Sequence, residues 1–180
     1  MEHHEIIEKT QNWIKERVIG WNLCPFAKPP FDAGRVRIKV SHANDYQGLL
    51  QDFLQEVQLL MNTPLEKIET TLLVHPLAFE DFLEFYGFID LLEEVLEAGE
   101  LAEEFQVASF HPKYQFSGAE KESAGNYTNR SPFPTTHILR QASVTRAVSS
   151  YPDIHKVPEQ NIQLMESMDI EQLQKGIYND

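Results

Sequence analysis

The chain has 180 residues, 42% of them hydrophobic and 24% charged, with a formal net charge of −13. That length can bury the core of one domain, and so acidic a balance argues against general nucleic-acid binding, which needs a basic footprint for phosphate. No run of about 18 apolar residues is present to span a membrane, and the charged opening MEHHEIIEKTQNW lacks the basic start and apolar run of a secretory signal. The single cysteine, Cys24, leaves no intramolecular disulfide and suits a reducing compartment. The expectation is a cytoplasmic protein, one α/β domain over residues 1–180, with neither membrane nor nucleic acid as partner.

In chain order, Ile6, Ile7, Trp13, Ile14, Arg17, Val18 and Trp21 recur at three and four and predict an amphipathic helix from residue 4 to 19, with Gly20 as its stop. WNLCPFAKPPFDAG, with three prolines and a glycine, reads as a loop whose aromatics pack on the body, and both tryptophans read as core. RVRIKV (35–40) alternates basic and β-branched residues as a half-buried strand does. Ser41 or Asn44 is placed to cap a helix whose stripe runs from Tyr46 to Met61. TTLLV (70–74) is a buried strand, Phe79 to Leu96 a second helical stripe, and FQVASF (105–110) a third strand. Thr135 or Thr136 would cap a helix through Val148, and two short helices, 158–168 and 169–175, close the chain. Strand, helix, strand, helix, strand with short connections predicts βαβαβ crossovers and a small, mainly parallel sheet of about three strands, flanked by N-terminal and C-terminal helices.

The second and third strands end alike, in Val74-His75-Pro76 and Phe110-His111-Pro112, and His42 follows the first. Ligands in open α/β sheets bind beyond the carboxyl ends of the strands, so these histidines mark the predicted site. A long ordered loop, residues 111–134, leaves the sheet at the same place. Residues 44–104 hold one basic residue against fifteen acidic, whereas residues 105–151 hold five against two. Positive charge therefore gathers near the loop.

Four segments in order, NLCPFAK (22–28), TTLLVHP (70–76), VASFHPKYQF (107–116) and NYTNRSP (126–132), resemble the bacterial family catalogued as domain of unknown function 1415. The resemblance runs from Thr10 to Ile170 and implies a bacterial, cytoplasmic, stand-alone protein. It carries over no catalytic residue, so chemistry has to be read from the residues themselves. Lys113, Arg130 and Arg140 supply forks and charge for an anion such as phosphate or carboxylate, with Tyr114, Asn126 and Asn129 as further ligand-binding groups and His111 and His75 managing protons. Equally, Asn126, Asn129 and Arg130 can tie the loop's own backbone together. His42, His75 and His111, completed by His137, offer imidazoles for a divalent metal, though on separate elements without local ligand spacing. Cys24 is a candidate nucleophile with His75 or His111 as base and Asn129 orienting it, set against a buried structural thiol. Tyr114, Phe116, Tyr127 and Phe133 form either an aromatic wall for a planar ligand or anchors for the loop. GxGxxG, GxxxxGK[ST], GxSxG and HExxH are all absent. The leading expectation is an enzyme acting on a small anionic metabolite, by hydrolysis or group transfer, at the strand ends. The alternative is a non-catalytic metabolite-binding or protein-docking module whose polar loop is mainly structural.

Overall fold

A computed structural model describes residues 1–151 and 153–177. Its sheet has four strands, β1 (Val36–Val40), β2 (Thr70–Val74), β3 (Phe105–Phe110) and β4 (Thr135–Arg140), in the order β1-β2-β4-β3. β1 and β2 pair parallel, with Val36 opposite Thr70 and Val40 opposite Val74. β4 lies antiparallel to β2 and to β3. The first three strands are those read from the sequence, but the mainly parallel three-stranded sheet is corrected to a mixed one.

The correction turns on Thr135-Thr136. Read as a helix cap, the pair instead begins a strand, because TTHILR places three β-branched residues in six and alternates its faces. Both threonines are almost fully buried, and ladder partners on either side satisfy the backbone of β4. The helix starts only at Gln141.

Seven α-helices are present among the described residues. α1 (His3–Trp13) opens with a capping box, the Glu2 backbone N–H donating to the Glu5 carboxylate at 2.9 Å, and runs on into a π-helical turn at Ile14–Ile19. α2 (Lys28–Asp32) is one turn inside the segment expected to be irregular; its prolines fall in the first turn, where a missing N–H costs little. α3 (Tyr46–Met61) is capped by Asp45, which accepts the Gly48 N–H at 2.8 Å, in place of Ser41 or Asn44. α4 (Phe82–Ala98) is capped by Asp81 through the Leu83 and Glu84 N–H groups. α5 (Gln141–Ser150) follows β4 directly, and α6 (Val157–Glu166) and α7 (Ile170–Gln174) close the chain as expected.

The two faces of the sheet have different fates. On one, Leu73, Ile138 and Phe105 meet the apolar stripes of α3 and α4, where Phe53, Phe85, Phe88, Leu60 and Leu92 are 0% exposed. Each such side chain contributes about 1.5–3 kcal/mol relative to an exposed one. Glu56 of α3 takes the Arg37 guanidinium in a fork at 2.7 and 3.0 Å and so pins the edge strand β1 to that layer. The other face, presented by the alternate residues Val36, Leu72, Ala108, Phe110, His137 and Leu139, is covered at one side by Trp13 and Ile14 and otherwise lines a groove. No helix among the described residues is long and apolar enough to cross a membrane.

Phe53, Phe85 and Phe88 of the helical layer are 0% exposed and belong to one cluster with Leu73 and Ile138 of the sheet. Phe88→Ala should therefore cost about 3–5 kcal/mol, read as a lower denaturant midpoint at unchanged slope. A cost below about 1 kcal/mol would contradict the packing of α4 described above.

Candidate functional site

His75 and His111 do lie at the carboxyl ends of β2 and β3, but both face inward. His75 is 0% exposed, its Nε2 2.9 Å from the Thr136 hydroxyl and its ring against Phe79, Phe85 and Phe88. Its Nδ1 has no hydrogen-bond partner among the described residues. A proton on Nε2 leaves only an acceptor lone pair unmet, the cheaper of the two omissions. Burial lowers its pKa to about 3, so the ring is neutral at physiological pH. His111 is 1% exposed and uses both nitrogens on the backbone: Nε2 donates to the Phe79 carbonyl at 2.8 Å and Nδ1 accepts the Lys113 N–H at 2.9 Å. Burial holds its pKa below the ordinary histidine value. The carbonyl that His111 takes belongs to a residue with φ of 63°, a conformation that a bulky side chain adopts only when its surroundings hold it there.

The loop is braced in the same manner. The Asn126 side chain, 0% exposed, accepts the Phe116 N–H at 3.0 Å and donates to the Glu120 and Lys121 carbonyls at 2.9 and 3.1 Å. Arg130, 4% exposed, donates to the Tyr114 and Lys121 carbonyls and lies over the Tyr127 ring at 4.2 Å. Tyr114 shares a side-chain hydrogen bond with Asn129, whose carbonyl accepts the His111 N–H, and burial raises its phenol pKa. Trp13 of α1 donates to the Arg130 carbonyl at 3.0 Å. Gly125 lets α6 approach closely: a Cβ there would meet Ile162 at 3.3 Å. Tyr127 and Phe133 are buried anchors, and Tyr114 packs between Phe116 and Phe82. Asn126 and Arg130, predicted as anion-binding groups, thus bond to the loop's own backbone.

Other expected partners are not brought together. Arg140 lies at the opposite end of the sheet, beside the start of β3, and donates to the Leu60, Thr63 and Ile68 carbonyls at 2.7, 2.7 and 3.1 Å. Lys113 reaches the Glu80 carbonyl at 2.9 Å. The recess beside it, about 570 Å³, counts Glu80 and Glu84 against that one lysine, a poor place for an anion. The metal reading is corrected as well: exposed His42 stacks on His3, with Nε2 and Nδ1 3.3 Å apart, while His75 and His111 point into the protein. No group of three or more His, Cys, Asp or Glu among the described residues can hold a metal ion.

Cys24 and His137 line instead the groove on the open sheet face. This cavity of about 900 Å³ has β1, β2, β4 and β3 as its floor, the 24–30 segment and the π-helical turn on one side, and α5 with Tyr151 on the other. Phe26 and Tyr151 meet edge-on across one part at 5.8 Å. The lining is largely apolar. At the start of β2 the Thr70 hydroxyl donates to the Ile138 carbonyl at 2.6 Å, so the 2.7 Å contact with His137 requires His137 Nε2 to be the donor. His137 Nδ1 is then the unprotonated, acceptor nitrogen of the ring. Burial lowers the His137 pKa to about 4 and raises that of the Cys24 thiol, which argues against a ready thiolate. Sequence patterning misses this site because its floor needs β4, whose Thr135-Thr136 start also fits a helix cap. The signal that could reveal it is the alternation of TTHILR, together with a second apolar face on TTLLV.

A family model described as "Protein of unknown function (DUF1415)" matches residues 5–175. No curated protein and no solved structure matches the chain.

Two outcomes check the brace. Asn126→Ala removes one acceptor and two donors from buried carbonyl and amide partners and should destabilise by about 2–4 kcal/mol, with early proteolysis within residues 111–134. The second concerns pH. The unfolded chain protonates its histidines below about pH 6.5, whereas folded His75 resists to about 3, so stability is complete above 6.5 and falls as pH drops. His75 alone supplies up to about 1.4 kcal/mol per pH unit in that window, and His75→Gln should flatten the pH 6 to 5 limb of the unfolding free energy accordingly. An unchanged limb would show that His75 is not a buried neutral base.

Proposed function

The chain belongs to the DUF1415 family, whose description names no activity, and we propose that it is a non-catalytic binding protein that holds an apolar small molecule in the groove of the open sheet face. One observation carries this reading. The sheet covers one face with two amphipathic helices and leaves half-buried apolar residues of the other, among them Val36, Ala108, Phe110 and Leu139, lining a single concavity. A volume of about 900 Å³ lies within the range of small-molecule sites. Covering that lining is favourable at roughly 25 cal/mol per Å² of apolar surface. Where the floor is otherwise greasy, His137 Nδ1 offers a polar point to orient a guest.

Hydrolysis or group transfer at the strand ends finds less support, because the proton-handling groups expected there are already bonded to the protein. His111 holds the Phe79 carbonyl and the Lys113 N–H, and Arg130 holds its own loop. The loop is a brace that sets the register of β4 and so the shape of the groove floor.

The test is a titration with the uncharged fluorophore N-phenyl-1-naphthylamine. Saturable enhancement is expected with the native protein, and a loss of at least tenfold in affinity with Ala108→Trp, which fills the floor, or with Ala147→Trp, which fills it from α5. No enhancement, or native-like binding by both variants while they remain folded, would exclude the groove as a ligand site.

A further inference from the structure

The charged residues of the groove lining are Arg35, Arg140 and Arg146 against Glu69 alone. This +2 balance belongs to a protein whose net charge is −13. All four sit at one end. Arg35 and Glu69 immediately precede β1 and β2, Arg140 ends the antiparallel β4, and Arg146 comes from α5 just beyond it. Glu69 is 8% exposed and is shared, with Arg35 at 3.2 Å on one carboxylate oxygen and Arg146 at 2.8 Å on the other. Arg140 is fixed by three backbone carbonyls and also feels Glu104 and Glu66. Two guanidiniums on one carboxylate leave N–H groups to spare. Arg35 Nε, Arg140 Nε and the Ser143 hydroxyl, all of residues lining this end, have no hydrogen-bond partner among the described residues, and neither has Glu69 Oε2, which Arg35 approaches only as an ion pair. From the Thr70 layer to Phe110 the floor extends four residues along β3, roughly 13 Å of apolar surface leading away from the charge.

Resting on the reading of the groove as a ligand site, we infer that its guest is amphipathic: an apolar chain or ring system carrying one anionic group, carboxylate or phosphate, that docks against Arg35 and Arg146 while its body lies over Ala108 and His137. An excess of guanidinium over carboxylate, placed where one wall is apolar and water is partly excluded, favours an anion over an alcohol of the same shape. A neutral guest would leave Arg35 and Arg146 with the single Glu69 carboxylate between them. An entering anion competes with Glu69 for Arg146, the more exposed of its two partners, so Arg146 is the residue that discriminates.

The experiment is displacement of N-phenyl-1-naphthylamine by decanoate, decyl phosphate and decanol. Both anions should displace at concentrations at least tenfold below decanol, with the lower of the two naming the head group. Arg146→Gln should shrink that advantage to within about threefold without altering displacement by decanol, and Arg146→Lys should retain part of it. Salt should weaken the anions alone. Equal displacement by anion and alcohol, or an advantage untouched by Arg146→Gln, overturns the inference while leaving the groove reading intact. A fluorophore that does not bind at all removes both. Because Arg146 is largely exposed, folding of its variants is checked directly by the unfolding midpoint.

Discussion

Strand β4 sits between β2 and β3 and bonds to both, and the rest of the molecule is arranged to make that possible. A strand in this position must be entered from the carboxyl end of β3 and left at the opposite end. The chain therefore has to turn back beside His111 and reach Thr135 without exposing or orphaning the backbone in between. Residues 111–134 do this as a braced loop. Asn126 and Arg130 take up carbonyls that no sheet or helix could satisfy, and Trp13 holds the loop to α1. The buried polar side chains here are the means by which an irregular segment meets its hydrogen-bonding requirement.

Fixing β4 also divides the sheet chemically. Ile138 turns toward α3 and α4 and joins the densest part of the core, while His137 and Leu139 turn the other way and complete the groove floor. α5 follows without a linker, so the strand that builds the floor also positions the wall that carries Arg146. Apolar floor, central imidazole and arginine-rich end are consequences of a single insertion.

Much of this was legible in the sequence, and the exceptions have physical causes. Strands β2 and β3 were located by their short β-branched or apolar runs between turn signals, and α3 and α4 by stripes of period 3.6. What failed was Thr135-Thr136, since threonine before an apolar run is as suitable for capping a helix as for starting a strand, and only the two neighbouring ladders decide between them. The histidines were placed at the right end of the sheet, but periodicity says nothing about whether a residue just past a strand turns outward or into the core. Desolvation among Phe79, Phe85 and Phe88 decided that for His75. Arg140 stands close to Arg130 in sequence, yet the six residues of β4 carry it to the opposite end of the sheet, where it takes carbonyls of the last turn of α3 and just beyond it. His137 entered only as a fourth metal ligand, and its place at the centre of the groove follows from the strand that was missed.

A guest seated in the groove must alter the surroundings of the residues that line it. Backbone amide shifts of isotopically labelled protein, followed during titration with decanoate, test this most directly. Saturable shifts should cluster at Leu72, Ala108, His137 and along α5, with the amides of Lys113, Asn126 and Arg130 left still. Shifts confined to the 111–134 loop and the recess beside Lys113, or none anywhere at saturating ligand, would contradict the groove as the binding site.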